Sequence, residues 1–305
     1  MTDAWRWAQR NPSAVLLYVQ LGGLLLYPFL EGPSDKLGTL EGGKLADVLV
    51  VNGRPDERLD DLAKVAGAGT TALCLGADDA FTRVELFENT LLGVVGADGW
   101  KRIADDRFDW GGPDVSKALD YFGSYIAQAD PAAGQTRWND AVRKLARGEC
   151  GYLTMNDSAY GELVAAGAVD GQQFGYAPFP GTEGNYLAIV DTFVAAKQAR
   201  NGVNALKFLE TVADPATMLA FTKVKGSVPV RRDVSAATLS DYQRGASAAL
   251  WRDTVLLSMA HGELMNTAFQ EALYAAVKDY ANNKNQRAFI NTVQRAGTGG
   301  TVGGR

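Results

Sequence analysis

The stretch RWNDAVRKLARGECGYLTMNDS, residues 137–158, passes from one kind of secondary structure to another within a few residues. Trp138 to Arg147 reads as a helix closed by Gly148, since glycine takes the left-handed backbone of a helix end without a Cβ clash. Gly151 to Met155 reads as the strand that follows. A helix that hands over to a strand is the building unit of an α/β protein, and the same texture extends in both directions. Upstream, Thr71 to Gly76 (TALCLG) suits a buried strand, and Phe81 to Val95 has helical apolar spacing. So does Val115 to Ala127, with Leu119, Phe122 and Ile126 on one stripe. Downstream, Phe174 to Phe179 and Ala188 to Ala195 read as strands parted by the turn Pro180-Gly181-Thr182-Glu183-Gly184. That turn has neither the P-loop order nor GxGxxG spacing, so it predicts no phosphate cradle. The last third is mostly helical, over Asn201 to Ala213, Pro215 to Thr222, Tyr242 to His261 and Asn266 to Ala281. No internal repeat is visible, and the glycine-rich tail 298–305 is expected to be disordered.

With 305 residues, 47% apolar and 21% charged, the chain can bury a substantial core as one large or two ordinary domains. A net charge of -5 leaves no cationic surface of the kind a nucleic-acid binder uses to displace counterions, so nucleic acid is excluded as a partner. The single histidine, His261, and two distant cysteines, Cys74 and Cys150, cannot assemble a zinc ligand set. The cysteines are read as buried free thiols in preference to a disulfide, which an oxidising compartment would allow.

The first 32 residues form a unit of their own. Arg6 and Arg10 precede the uncharged run SAVLLYVQLGGLLLYPFL from Ser13 to Leu30, which is about the shortest length that spans a bilayer. No small-residue cleavage site follows it. Two readings stand side by side: an uncleaved anchor giving membrane contact through residues 13–30, or a buried hydrophobic hairpin turning at Gly22-Gly23. Residues 33–60 are again unlike the rest. Their string GTLEGGKLADVLVVNGRP, 38–55, resembles the closing strand segment of amidohydrolases, but those enzymes need several metal-binding histidines that this chain lacks.

From residue 61 to 297 several strings occur together in order. They are ALCLG at 72–76, FENTLLGVVG at 87–96, the 137–158 stretch, YAPFPGTEGNY at 176–186, DTF at 191–193, NALKFLETVADPATMLAFTKVKGSVPVRRDV at 204–234, and HG at 261–262. Together they resemble the glucose- and oligosaccharide-binding branch of the extracellular solute-binding proteins of bacterial ABC importers. The resemblance implies an α/β fold of the periplasmic-binding-protein kind (type II), here a C-terminal lobe with an incomplete N-terminal lobe and a helix-rich C-terminal third. It implies a sugar ligand, an ABC permease as partner, a periplasmic or extracellular location, no cofactor and no catalysis.

Carried over by position, the resemblance makes Asp191, Lys225 and His261 sugar contacts. A carboxylate can accept from two neighbouring hydroxyls while Lys and His donate, and such charge-assisted bonds are strong. Where the family usually has Gly-Asp-Trp, this chain has Asn156-Asp157-Ser158, so Ser158 replaces an aromatic platform. Asp157 and Ser158 complete the expected ligand-side set, with Phe81 or Trp110 as substitutes for the missing ring. Nothing in residues 1–60 resembles the family's first lobe, and a one-sided site is expected to bind weakly. Two other classes compete: a membrane-tethered scaffold, and a chimera of fragments without a selected function. A hydrolase is disfavoured by the lack of a GxSxG nucleophile elbow.

Overall fold

Two four-stranded sheets organise this computed structural model, which describes residues 14–22, 24–28, 71–170 and 172–297. The strands are β1 (Ala14–Gly22), β2 (Leu24–Pro28), β3 (Thr71–Cys74), β4 (Cys150–Met155), β5 (Phe174–Pro178), β6 (Asn185–Val194), β7 (Val228–Pro229) and β8 (Thr254–Leu257). One sheet runs β7-β1-β6-β8 and the other β3-β4-β2-β5. Around them lie α1 (Ala80–Ala104), α2 (Pro113–Ala127), α3 (Trp138–Ala146), α4 (Ser158–Ala165) and α5 (Gly202–Ala213). The series continues with α6 (Pro215–Lys225), α7 (Asp241–Arg252), α8 (Thr267–Asn283) and α9 (Gln286–Ala296). The amidohydrolase-like string at 38–55 and the tail 298–305 lie outside the described residues.

The described parts of the uncharged run, 14–22 and 24–28, are strands, and they do not form the expected hairpin. Its two strands do not turn back on each other at Gly22-Gly23, because they belong to different sheets. β1 is an inner strand, antiparallel to β6 from Ala14 opposite Val194 to Gly22 opposite Leu187, and antiparallel to β7 at Val19 and Val228. β2 is inner in the other sheet, with Leu24 opposite both Met155 of β4 and Pro178 of β5. Apolar side chains in unbroken succession suit an inner strand as well as they suit a bilayer, which is why the run is ambiguous on paper. Among the described residues, no helix is long and apolar enough to cross a membrane.

Elsewhere the alternation holds, with three differences. The helix expected over Tyr242 to His261 stops at Arg252, and Thr254–Leu257 becomes β8, parallel to β6 with Asn185 opposite Thr254. The free edge of β6 gives TVLL a ladder that an isolated helix cannot match. The helix expected to end at Val95 continues to Ala104 through a kink at Gly96, whose φ of 62° is the left-handed region, and buries Trp100 and Ile103 beyond it. Two further helices, α4 and α9, were not expected from the sequence; Asn285 caps α9 by accepting from Ala288 N.

The core has two large clusters and a small third one of Leu75, Ala77 and Ala133. One joins α1, α2, α8 and α9, where Phe87 meets Phe122 edge-on at 5.7 Å and Phe289 at 5.1 Å. The other gathers Leu153, Tyr160, Phe174, Tyr186 and Tyr242 between the sheets and α3, α4 and α7.

Cys74 and Cys150 lie in this second cluster and form a disulfide, with Cα atoms 5.6 Å apart. The expectation of free thiols is therefore corrected: β3 and β4 are neighbours in the sheet, which brings together cysteines 76 residues apart in sequence. Closing so long a loop constrains the unfolded chain and typically stabilises by about 2–4 kcal/mol. Reduction, or the double substitution Cys74→Ala/Cys150→Ala, is expected to lower the urea midpoint accordingly. Two titratable thiols in the unreduced, unfolded protein would refute the bridge.

Candidate functional site

Helix α1 carries two carboxylates, Glu85 and Glu88, among its buried residues, and both are 0% exposed. Residues three apart on a helix share a face, so the pair meets one segment, Ser258 to Glu263. Glu88 accepts from the Ser258 hydroxyl at 2.9 and 3.0 Å, from Met259 N at 2.8 Å and from Ala260 N at 3.1 Å. These bonds satisfy backbone donors that would otherwise be buried without partners. The segment reverses at Gly262, whose φ of 81° favours glycine. From the other side, the Tyr274 hydroxyl and Gln270 Nε2 of α8 donate to Ala260 O.

This clamp delivers His261 to Glu85. The ring Nε2 lies 2.7 Å from Glu85 Oε1, the same oxygen that accepts from Asn156 Nδ2 at 2.7 Å. Asn156 also accepts from Ser158 N at 3.0 Å, so the end of β4 is joined to the histidine through one carboxylate oxygen. The Phe81 ring stands 5.5 Å from the His261 ring. Trp110, by contrast, is a core residue packed against Phe108 and Phe269 and offers no platform.

Lys225 and Asp191 meet as an ion pair at 3.4 Å, with 29% and 47% of their side chains exposed. Lys225 ends α6 and Asp191 lies on β6. The chain leaves α6 through Gly226 at φ 89°, where a Cβ would lie 2.5 Å from Asp157 O. α4 approaches as closely, since a Cβ on Gly161 would lie 2.6 Å from Lys225 O. Two glycines therefore permit the backbone contact that fixes Lys225 next to the 156–158 turn. Glu263 links the two groups: its Oε1 accepts from Val190 N at 3.2 Å, and it is electrostatically coupled to both His261 and Asp191.

Burial pushes the Glu88 carboxyl up to about 8 and the Glu263 carboxyl up to about 7. For His261, burial alone would lower the pKa. The hydrogen bond to Glu85 and the charges of Glu85, Glu88 and Glu263 outweigh it and raise the imidazole to about 9. The site thus holds a cationic ring amid carboxyl groups, together with a half-exposed Lys–Asp pair. Such a set can donate to and accept from a polyhydroxylated molecule.

Of the five residues expected to face ligand, the structure pairs Asp191 with Lys225, and Glu263 feels the charge of both Asp191 and His261. Asp157 and Ser158 lie at the start of α4, where Asp157 is 1% exposed, beneath the turn, and Ser158 is half-buried. The sequence reading missed Glu85, Glu88, Asn156 and Glu263. The available signal was VELFENTLL, in which two acids interrupt a helix stripe otherwise fit for a core. Among the described residues, no group of three or more His, Cys, Asp or Glu is placed to hold a metal ion.

Comparison with known proteins places this geometry in context. A family profile described as bacterial extracellular solute-binding protein matches residues 56–250. A protein of Pyrococcus horikoshii described as an uncharacterized ABC transporter extracellular-binding protein is 28% identical over 232 residues, which is 74% of this chain and 52% of that protein. A probable sugar-binding periplasmic protein of Brucella suis is 29% identical over 236 residues, covering 75% of this chain and 56% of its own. The chain therefore spans about half the length of the curated relatives it matches. Among solved structures, the bacterial solute receptor AcbH, which has an exclusive preference for β-D-galactopyranose, superposes with a TM-score of 0.74 at 16% identity, covering 93% of this chain and 70% of that one. A chitin oligosaccharide-binding protein does so with a TM-score of 0.75 at 12% identity and the same coverage. These likenesses show the fold, an α/β architecture of the type II periplasmic-binding-protein kind.

Proposed function

Because the chain belongs to the bacterial extracellular solute-binding proteins, we propose that it captures a neutral mono- or oligosaccharide reversibly, outside the cytoplasm, for delivery to an ABC permease. The observation that carries this reading is the part-exposed Asp191–Lys225 pair together with His261, held at 2.7 Å by Glu85 and part-exposed itself. It combines donors and acceptors, as the hydroxyls and ring oxygen of a sugar do, and the relatives with sugar-binding descriptions favour the same ligand class. Asp191 accepts, Lys225 and His261 donate, and Phe81 next to the histidine supplies an apolar ring face. Asp157 and Ser158 act from beneath, holding the turn that carries Asn156. Capture requires no bond to be made or broken. Contacts gathered along one rim grip weakly, since tight capture in a two-lobed fold comes from closure over the ligand.

The test is thermal unfolding with D-glucose, D-galactose, D-xylose and their disaccharides at millimolar concentration. At tenfold excess over the dissociation constant, linkage stabilises by about 1.4 kcal/mol, a rise of a few degrees. His261→Ala is expected to abolish the rise. A cooperative transition that no sugar moves would sink the reading.

A further inference from the structure

The lone histidine is held by an acid that the ligand need never touch. Glu85 is fully buried, and its Oε1 serves two donors at 2.7 Å each, the Asn156 amide and the His261 ring at Nε2. A carboxylate accepts only, so the proton on that side of the ring belongs to Nε2. The other ring nitrogen, Nδ1, makes no hydrogen bond among the described residues. A quarter of the side chain is exposed, and its backbone N is pinned by Ser258 Oγ at 3.3 Å. The ring therefore has one face of its chemistry used up inside the protein and one left over.

We propose that Glu85 is the positioning residue of the site, fixing the His261 ring with Nε2 turned inward and Nδ1 left as a charged donor for a ligand oxygen. The inference rests on the sugar-capture reading for its ligand, and on the geometry alone for the state of the ring. It makes the histidine a constant cation, not a group that switches within the physiological range. The carboxyl groups that face the ring act in the same direction, Glu85 and Glu88 from α1 and Glu263 from the histidine's own segment, while Asp191 of β6 acts on Glu263. Tyr274 from α8 stays neutral, because burial raises its hydroxyl. Asn156 has a second part in the device. By donating to the same Glu85 oxygen, it ties the histidine's orientation to the 156–158 turn.

A single histidine makes the test unambiguous, since every imidazole signal in a 15N NMR spectrum comes from His261. In the ligand-free wild type, both ring nitrogens are expected to be protonated at pH 8, with titration near 9. Glu85→Gln preserves the shape and one acceptor and removes the charge, so titration is expected to fall to the ordinary histidine range near 6.5 or below. The tightest-binding sugar of the thermal panel is expected to bind Glu85→Gln about tenfold more weakly at pH 8 and nearly as well as wild type at pH 5.5, where the ring regains its proton. A merely structural role would weaken binding equally at both pH values. A wild-type ring that titrates near 6.5, or lacks the Nδ1 proton at pH 8, overturns the proposal even if Glu85→Gln fails to fold. Absence of sugar binding in the wild type would refute capture and leave the ring measurement standing as the test of positioning.

Discussion

A chain lacking residues 14–28 is expected to show no cooperative unfolding transition. The segment is small, yet both sheets are built around it. Among the described strands, β7 pairs with β1 in one sheet and β5 with β2 in the other. Removing the segment detaches both edge strands and leaves β4 and β6 with inner edges exposed, each a row of unpaired backbone groups of the kind that promotes aggregation. The loss exceeds the 5–15 kcal/mol that separates a folded domain from its unfolded chain. Circular dichroism melting and size exclusion of the deletion variant check this. A milder form of the same test is Val19→Pro, which deletes a ladder donor from an inner strand facing both Val190 and Val228 and is expected to cost about 3 kcal/mol or more. A deletion variant that still melts cooperatively near the wild-type midpoint would show that these strands are dispensable.

The second large effect is expected at Glu88. Glu88→Ala removes the acceptor shared by the Ser258 hydroxyl and the Met259 and Ala260 amides, in a place water does not reach, and is expected to cost about 3–5 kcal/mol. The pH dependence has a definite sign. The folded pKa of Glu88, about 8, lies above its ordinary 4.5, so the folded state holds a proton that the unfolded state has released. The stability this represents is complete below pH 4.5 and is lost as pH rises through 8. Glu263, raised from 4.5 to about 7, and His261, raised from 6.5 to about 9, act in the same sense. Calorimetry is therefore expected to show the unfolding free energy falling between pH 5 and pH 9, with Glu88 contributing on the order of 4 kcal/mol. Glu88→Gln keeps an acceptor for the amides and should flatten the slope below pH 8. A midpoint that climbs toward alkaline pH would contradict the account.

Much of this molecule could be read before folding it, for reasons that differ by element. Helix α3 and strand β4 were legible in residues 137–158 because Gly148 marks the break, and the local pattern agrees with the tertiary outcome. The strand TVLL after α7 was not legible: nothing local distinguishes it from one more helical turn, and its partner, the edge of β6, lies about seventy residues upstream. The run at 13–30 failed for a related cause. An inner strand and a lipid span can use the same apolar residues, and the long-range ladders of 14–22 and 24–28 are what identify strands here. The disulfide was missed because proximity of Cys74 and Cys150 is a property of sheet order. At the site, His261, Asp191 and Lys225 were found through family resemblance. Glu85 and Glu88 are buried in a helix where acids are expected only if something distant answers them, and what answers them is a segment 170 or more positions away.

The placement of β1 and β2 has a further consequence, in time. During synthesis these strands leave the ribosome before any of their partners exist. Leu26 must wait for Leu153, and Ala14 for Val194. At ordinary elongation rates that wait is roughly ten seconds, far longer than the microseconds in which a local hairpin forms. For that interval an uncharged apolar run stands unpaired, and neither sheet can be completed. Folding of this chain is consequently paced from its beginning to its middle, with the earliest-made strands among the last to be enclosed.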